Sequence, residues 1–172
     1  MDKDVKRVTE DALSKGGILF NMYFDAHAPD EEGVKNRLTE LFAKITKEDG
    51  VVYAVGEIEP PLKEEFQGKE MFTTSGSIKV LTKDARNAVR IAMAYGPVHC
   101  EVLEPEKRVI TFAELGEIMN DASLISYSLS QFIIQNTLKG EALDMFMHNI
   151  KYREQLGADL RKKGVKNERK EH

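Results

Sequence analysis

The sequence predicts an α+β protein: a ferredoxin-like βαββαβ sandwich with a short N-terminal helix and a C-terminal helical hairpin. Four segments alternate apolar and polar residues or are rich in β-branched residues, and two segments with helical spacing separate them in the order strand, helix, strand, strand, helix, strand. This order places both helices on one face of an antiparallel sheet whose strand order is four, one, three, two. A long apolar helical pattern follows the fourth strand.

The N-terminal part of the chain predicts a helix and then a strand. Residues 2–14 carry apolar side chains at roughly helical spacing, and Gly16 and Gly17 end that pattern. The next segment, ILFNMYFDAHA, alternates apolar with polar side chains, as a strand with one buried face does. It is the predicted first strand of the sheet.

The first helix of the core is expected to begin after Asp30, a good N-cap residue, and to end before Gly50. The β-branched run VVYAVGEIE predicts the second strand near residues 51–58, and the prolines that follow close it. Residues 60–71 are polar and contain a glycine, so we interpret them as a long connection.

The second half of the core repeats the pattern. The segment TTSGSIKVL predicts the third strand, and Thr82 or Asp84 is placed to cap a helix that ends at Gly96. The fourth strand, VHCEVL, places Cys100 at an inward position. Because free cysteine is among the most buried residue types, Cys100 is expected to be a small core residue and not a reactive thiol.

The chain is expected to divide into four segments. Residues 1–16 form the leading helix, residues 17–104 the ferredoxin-like domain, and residues 164–172 a frayed basic tail. Residues 111–163 form a helical extension, which is either a helical hairpin or two helices with a hinge at Gly140. The extension begins with a capping box in the run TFAE, because its threonine and its glutamate are three residues apart.

The helical extension carries the strongest signal for assembly. Its apolar residues recur at alternating steps of three and four, the spacing that keeps one seam of a helix facing a partner. The seam consists of Leu115, Ile118, Ala122, Ile125, Leu129 and Phe132. We expect it to face a second copy of the chain in a homodimer or a dimer of dimers, with the closest helix approach at Ala122.

Composition limits the classes of function. A chain of 172 residues with 41% hydrophobic and 31% charged residues suits one folded domain plus a helical extension. Its net charge of −4 disfavours general nucleic-acid binding, which needs a broad basic face. The single cysteine excludes an intramolecular disulfide and fits a reducing, cytoplasmic compartment. No signal-peptide pattern and no run of about 18 apolar residues is present, so no membrane partner is expected.

Polar residues on the predicted open face of the sheet suggest one chemical hypothesis. The first and fourth strands are antiparallel neighbours in this topology, so that Asp25, His27, His99 and Glu101 could converge. Two imidazoles and two carboxylates suit a divalent transition metal, and one carboxylate could act as a general base on bound water. The competing interpretation is a set of ordinary polar residues paired across strands.

The sequence gives little support for other kinds of catalytic or binding site. Glycine-rich phosphate-binding patterns and nucleophile motifs are absent, and no cofactor is predicted. One basic cluster lies near the C-terminus and consists of Arg161, Lys162, Lys163, Lys166, Arg169 and Lys170. Such a cluster either complements the dipole of the preceding helix or binds RNA or an acidic partner. The third strand lacks the exposed aromatic residues of an RNA-recognition domain.

Two resemblances complete the sequence evidence. The element order over residues 18–103 resembles that of ACT domains, which implies a regulatory module that binds a small molecule between subunits. The segments YGPVHCEVLEPEKRV and ELGEIMNDAS resemble conserved archaeal proteins of unknown function. The favoured hypothesis is therefore a non-enzymatic assembly module that senses a small ligand at a subunit interface. The alternatives are a metal-dependent hydrolase and an RNA-associated protein.

Overall fold

The computed structural model describes residues 3–66, 69–137, 139–140, 143–148, 150–152 and 155. Nine elements have defined bounds in this part of the chain. They are α1 (Lys3–Ser14), β1 (Ile18–Ala28), α2 (Glu31–Ile45), β2 (Val51–Ile58), β3 (Leu62–Phe66), β4 (Lys69–Thr82), α3 (Ala85–Tyr95), β5 (His99–Glu104) and α4 (Phe112–Thr137).

The sheet has the predicted topology with one added strand. Its order is β2-β4-β1-β5, and β1 pairs antiparallel with both β4 and β5. In the numbering of the four predicted strands this order is two, three, one, four, which confirms the ferredoxin-like arrangement. The additional strand, β3, forms a hairpin with the first half of β4.

The interpretation of residues 60–71 as a connection is wrong, because most of them belong to this hairpin. In its register Leu62 lies opposite Thr73 and Glu64 lies opposite Met71. Lys63, Glu64 and Glu65 are exposed. A strand at the edge of a sheet does not need one buried face and often carries charge, so it lacks the alternation that identifies a half-buried strand.

The main core lies between one face of the sheet, here called the helix face, and the helices α2 and α3. The sheet contributes Phe20, Met22 and Phe24 from β1 and their cross-strand neighbours from β4. The helices contribute Val34, Leu38, Phe42, Ile45, Ala85, Ala88 and Ile91. Because these residues alternate in β1 and recur every three or four positions in the helices, the core follows the sequence pattern.

Local capping confirms the predicted helix ends. Asp30 accepts a hydrogen bond from the backbone N–H of Gly33 at 2.7 Å, and Asp84 accepts one from the N–H of Asn87 at 2.7 Å. The structure thus selects Asp84, not Thr82, as the N-cap of α3. Gly96 ends α3 in the left-handed region, with φ at 55°, where a side chain would be strained.

The opposite face of the sheet, here called the outer face, is partly covered by α1. This helix packs against β1 and β4. Thr9 of α1 lies 2.9 Å from the hydroxyl oxygen of Tyr53 on β2, and Leu19 and Leu81 are buried on this face. Only the remainder of the outer face is open, because α1 occupies the end nearest Leu19.

Helix α4 begins as predicted but with half of the capping box. The backbone N–H of Glu114 donates to Thr111 Oγ1 at 3.2 Å. The Glu114 carboxylate instead accepts a hydrogen bond from Arg108 Nη2 at 2.6 Å. In a full capping box the Glu114 carboxylate would accept a hydrogen bond from the backbone N–H of Thr111. The ion pair with Arg108 takes the place of that hydrogen bond, since Arg108 competes for the same carboxylate.

The chain forms two compact units, residues 1–125 and 126–172, and α4 contributes to both. The predicted domain limits at residues 104 and 111 stay a prediction. In the second unit Gly140 has a φ of 62°, and residues 143–148 and 150–152 are helical. The helical hairpin also stays a prediction. Within the described ranges no helix combines the length and apolar character needed to cross a membrane.

Candidate functional site

The register between β1 and β5 decides where the predicted metal ligands lie. His99 is opposite Tyr23, and Glu101 is opposite Asn21. The strand β5 begins at His99, so β1 continues past the end of β5 for five further residues, among them Asp25 and His27. For the four residues to converge, β5 would have to begin opposite Asp25 or opposite a later residue of β1.

The four residues accordingly form two separate groups. His27 Nε2 lies 3.0 Å from Asp25 Oδ2. The hydroxyl of Tyr23 donates to Glu101 Oε2 at 3.2 Å, and its ring lies 5.7 Å from the His99 ring, centroid to centroid. In the part of the chain that the structure describes, no three histidine, cysteine or acidic side chains are placed to hold a metal ion together. The predicted convergence is not found, because the register separates the two groups.

The Asp25 group lies in a groove that sequence reasoning missed. A groove of about 520 Å³ on the outer face is bordered by β1, β4 and the β3 hairpin. Its lining includes Asp25, His27, Glu59, Leu62, Glu64 and Thr73. Three carboxylates give it an acidic character. The signal that could have revealed it was the hairpin, because β3 supplies one wall.

The structure corrects the prediction that Cys100 is a core residue. Cys100 is exposed, although the atoms around it still remove enough water to raise the pKa of its thiol. Its position on the helix face is as predicted, since it lies opposite the buried Met22. The helices α2 and α3 pack over β1, β2 and β4, so they leave the helix face of β5 uncovered.

The strand β5 is exposed along its whole length. All six of its residues are exposed, and Val102 retains 63% of its accessible surface. On the helix face it presents Cys100 and Val102, and on the outer face His99 and Glu101. An edge strand with both faces uncovered is a surface at which another strand can add.

Hydrogen bonds from one arginine of α3 connect this helix to the first half of α4. Arg86 donates two hydrogen bonds to the Asp121 carboxylate, at 2.5 and 3.0 Å, and a third to Glu117 at 3.1 Å. This two-point contact lowers the pKa of Asp121, because the guanidinium stabilises the charged carboxylate. Ile118, on the same turn of the helix, packs against the core.

Most of the other large apolar side chains of α4 are exposed. No residue of this helix is buried. In the first compact unit Phe112 retains 95% of its accessible surface, and Leu115 and Met119 are also exposed. In the second unit Leu129 and Phe132 retain 59% and 65%. These five residues, together with Ile133, are here called the apolar face of α4.

The predicted seam is thus divided. Ile118 is engaged within its own chain, and Ala122 and Ile125 are half-buried. Leu115, Leu129 and Phe132 remain exposed. Self-association stays a prediction, and it now depends on the apolar face of α4 and not on the whole seam.

Comparison with known proteins identifies the family. A family model matches residues 19–155, which is well over half of the chain. The chain belongs to the MJ0538 family. This is an archaeal family of uncharacterised proteins, which confirms the resemblance to conserved archaeal proteins of unknown function. No ACT or ferredoxin family matches, so that likeness rests on element order alone. No curated protein matches the chain.

The region matched by the MJ0538 family model contains β5 and the whole of α4. It ends before the basic cluster, which begins at Arg161. That cluster lies outside the residues that the structure describes. RNA binding through the tail of this MJ0538-family chain therefore stays a prediction.

Proposed function

We propose that this protein is a non-enzymatic assembly module that associates with a second copy of itself through the apolar face of α4. One observation carries the proposal: α4 has 26 residues, none of them buried, and many of its exposed side chains are large and apolar. Extended exposed apolar surfaces on globular proteins mark sites of protein association.

The free energy of burying apolar side chains favours contact between the apolar face of α4 and another surface. Burying a leucine, phenylalanine or methionine side chain is worth about 1.5–3 kcal/mol relative to leaving it in water. The apolar face of α4 therefore represents several kcal/mol that one chain leaves unused. A helix of 26 residues is roughly 39 Å long, so two of them can pack over a long interface.

A second copy is the occupant that we propose, because one self-complementary surface then satisfies both partners with two-fold symmetry. The interface would also be the place where a small ligand is sensed, as in the regulatory modules that the element order resembles. A cytoplasmic location completes the proposal, since a reducing compartment keeps the exposed Cys100 as a thiol.

Light scattering after size-exclusion chromatography tests the proposal. The wild type should elute at two or four times the mass of one chain at micromolar concentration, with a reductant present throughout. The double variant Leu129→Glu, Phe132→Glu should elute at half the mass of the wild type, because charges replace two exposed apolar contacts. Both positions are solvent-exposed, so the variant should keep its helical circular dichroism.

Asn120→Glu is the matched control. Asn120 is also exposed on α4, but it lies outside the apolar face. This control adds charge to the same helix and should leave the mass of the assembly unchanged. A monomeric wild type, or a double variant that keeps the mass of the wild type, would overturn the proposal.

A further inference from the structure

We infer that β5 forms a second, separate interface, in which it pairs antiparallel with β5 of another copy and is centred on Cys100. This contact joins two sheets edge to edge across a two-fold axis. It goes beyond the proposed function, because it uses no residue of α4. A chain with two such surfaces has the minimum needed for a dimer of dimers.

The open edge of β5 is the first observation. It is the terminal strand in the order β2-β4-β1-β5, and all six of its residues are exposed. Natural edge strands are usually protected by lysine, proline, a bulge or a covering element. Residues 99–104 contain neither lysine nor proline, and the only irregularity in the pairing lies at the end opposite Leu19.

The backbone direction at Cys100 is the second observation. The N–H of Val98 donates to the carbonyl oxygen of Tyr23 at 2.8 Å, so the backbone polar groups of Tyr23 point toward β5. Successive residues of an antiparallel strand direct these groups to alternate neighbours. The backbone N–H and C=O of Met22 therefore point away from β5. Those of Cys100, which lies opposite Met22, point away from β1. The N–H and C=O of Cys100 lie at the open edge.

Charge selects the register. Centring the two-fold axis on Cys100 places His99 of each copy opposite Glu101 of the other, on the outer face. An imidazole N–H donates a hydrogen bond to a carboxylate whether the ring is neutral or charged, so both cross-strand pairs are favourable. Shifting the centre by one residue toward the C-terminus places the two Glu101 side chains opposite each other, where like charges repel. Shifting it by one residue the other way pairs the two His99 side chains and leaves neither of them opposite a carboxylate.

The exposed thiol gives a direct test of this register. Cys100 is the only cysteine, and two directly opposed residues in a hydrogen-bonded antiparallel pair have Cα atoms about 5.5 Å apart. That separation suits a disulfide. Mild oxidation with diamide, which takes up two electrons and two protons from the two thiols, should therefore convert most of the protein to a covalent dimer on non-reducing gels.

The double variant Cys100→Ser, Val102→Cys is the matched control. It moves the single thiol to another exposed position on the same face of β5. In the register centred on Cys100, the two residues 102 are offset by four positions, roughly 13 Å along the strands, which is too far for a disulfide. We expect at least a tenfold slower crosslinking. Equal crosslinking of both proteins would show collision of exposed thiols and overturn the inference.

A charge exchange tests the cross-strand pairs. His99→Glu should slow the crosslinking of Cys100 several-fold, because two like-charged pairs then face each other. Adding Glu101→Lys should restore the rate. Failure of the wild type to crosslink, or no rescue by the second substitution, would also refute the pairing.

The same crosslinking in the Leu129→Glu, Phe132→Glu background separates this inference from the proposed function. Crosslinking through β5 should persist there, because the two surfaces share no residue. Its loss in that background would show that the Cys100 contact depends on α4 and is not an independent interface.

Discussion

Gly56 on β2 lies directly beneath the ring of Phe42, and a methyl group placed there measures how tightly α2 packs on the sheet. An added Cβ at Gly56 would lie 2.5 Å from Phe42 Cδ2 and 3.0 Å from Cε2. The ring has little room to move, because a Cβ at Gly76 would lie only 3.1 Å from its Cζ and the Phe24 ring is 5.9 Å away. Gly56→Ala should therefore overpack the core.

Forcing one extra methyl into a packed core costs about 1–3 kcal/mol. Urea unfolding followed by circular dichroism at a fixed protein concentration measures this cost. With a slope of about 1–3 kcal/mol per molar urea, the midpoint should fall by roughly 1 M without a change of slope.

Gly116→Ala on α4 is the control, because nothing lies within 4 Å of a Cβ at that position. Alanine is the better helix former, so this control should raise stability by about 0.5–1 kcal/mol.

A double-mutant cycle with Phe42→Leu then attributes the effect to the ring. If the ring causes the clash, Gly56→Ala should cost clearly less in the Phe42→Leu background, with a coupling of about 1 kcal/mol or more. An equal cost in both backgrounds would refute the packing explanation, as would a neutral effect of Gly56→Ala in the wild type.

Two further predictions concern Glu48, Arg90 and Tyr95, which join the end of α2 to α3. Hydrogen bonds from Arg90 and Tyr95 lower the pKa of Glu48 below its ordinary value of 4.5, so its contribution to stability is present above that pH and is lost as the pH falls through the folded-state pKa. Between about pH 6 and about pH 3 the urea midpoint of Glu48→Gln should therefore fall less than that of the wild type. The same dependence of the urea midpoint on pH in both proteins would contradict this linkage. Burial, and then the hydrogen bond to Glu48, raise the pKa of Tyr95 to about 12, so its contribution is present below the ordinary value of 10.0 and is lost as the pH rises toward 12. An absorbance titration should show one phenol of the wild type ionising near pH 12 that is missing in Tyr95→Phe, and a titration without that late step would be the contrary result.

The sequence by itself determined the elements whose signal is local. The alternation of β1, the caps at Asp30 and Asp84, and the stop at Gly96 depend on residues within a few positions of each other. Their physical causes act within one strand or one helical turn, so they can be recognised without the fold. The order of these elements was then enough for the strand order of the sheet, since crossovers have a fixed hand.

Only the tertiary structure decided which surfaces are covered and which side chains meet. Cys100 has the inward parity of a core residue, yet it is exposed because α2 and α3 pack over β1, β2 and β4 and not over β5. The separation of Asp25 from His99 follows from where β5 begins, and Arg86 reaches Asp121 across 35 positions of sequence. These outcomes depend on strand ends and helix placement, which long-range packing sets and no local pattern encodes.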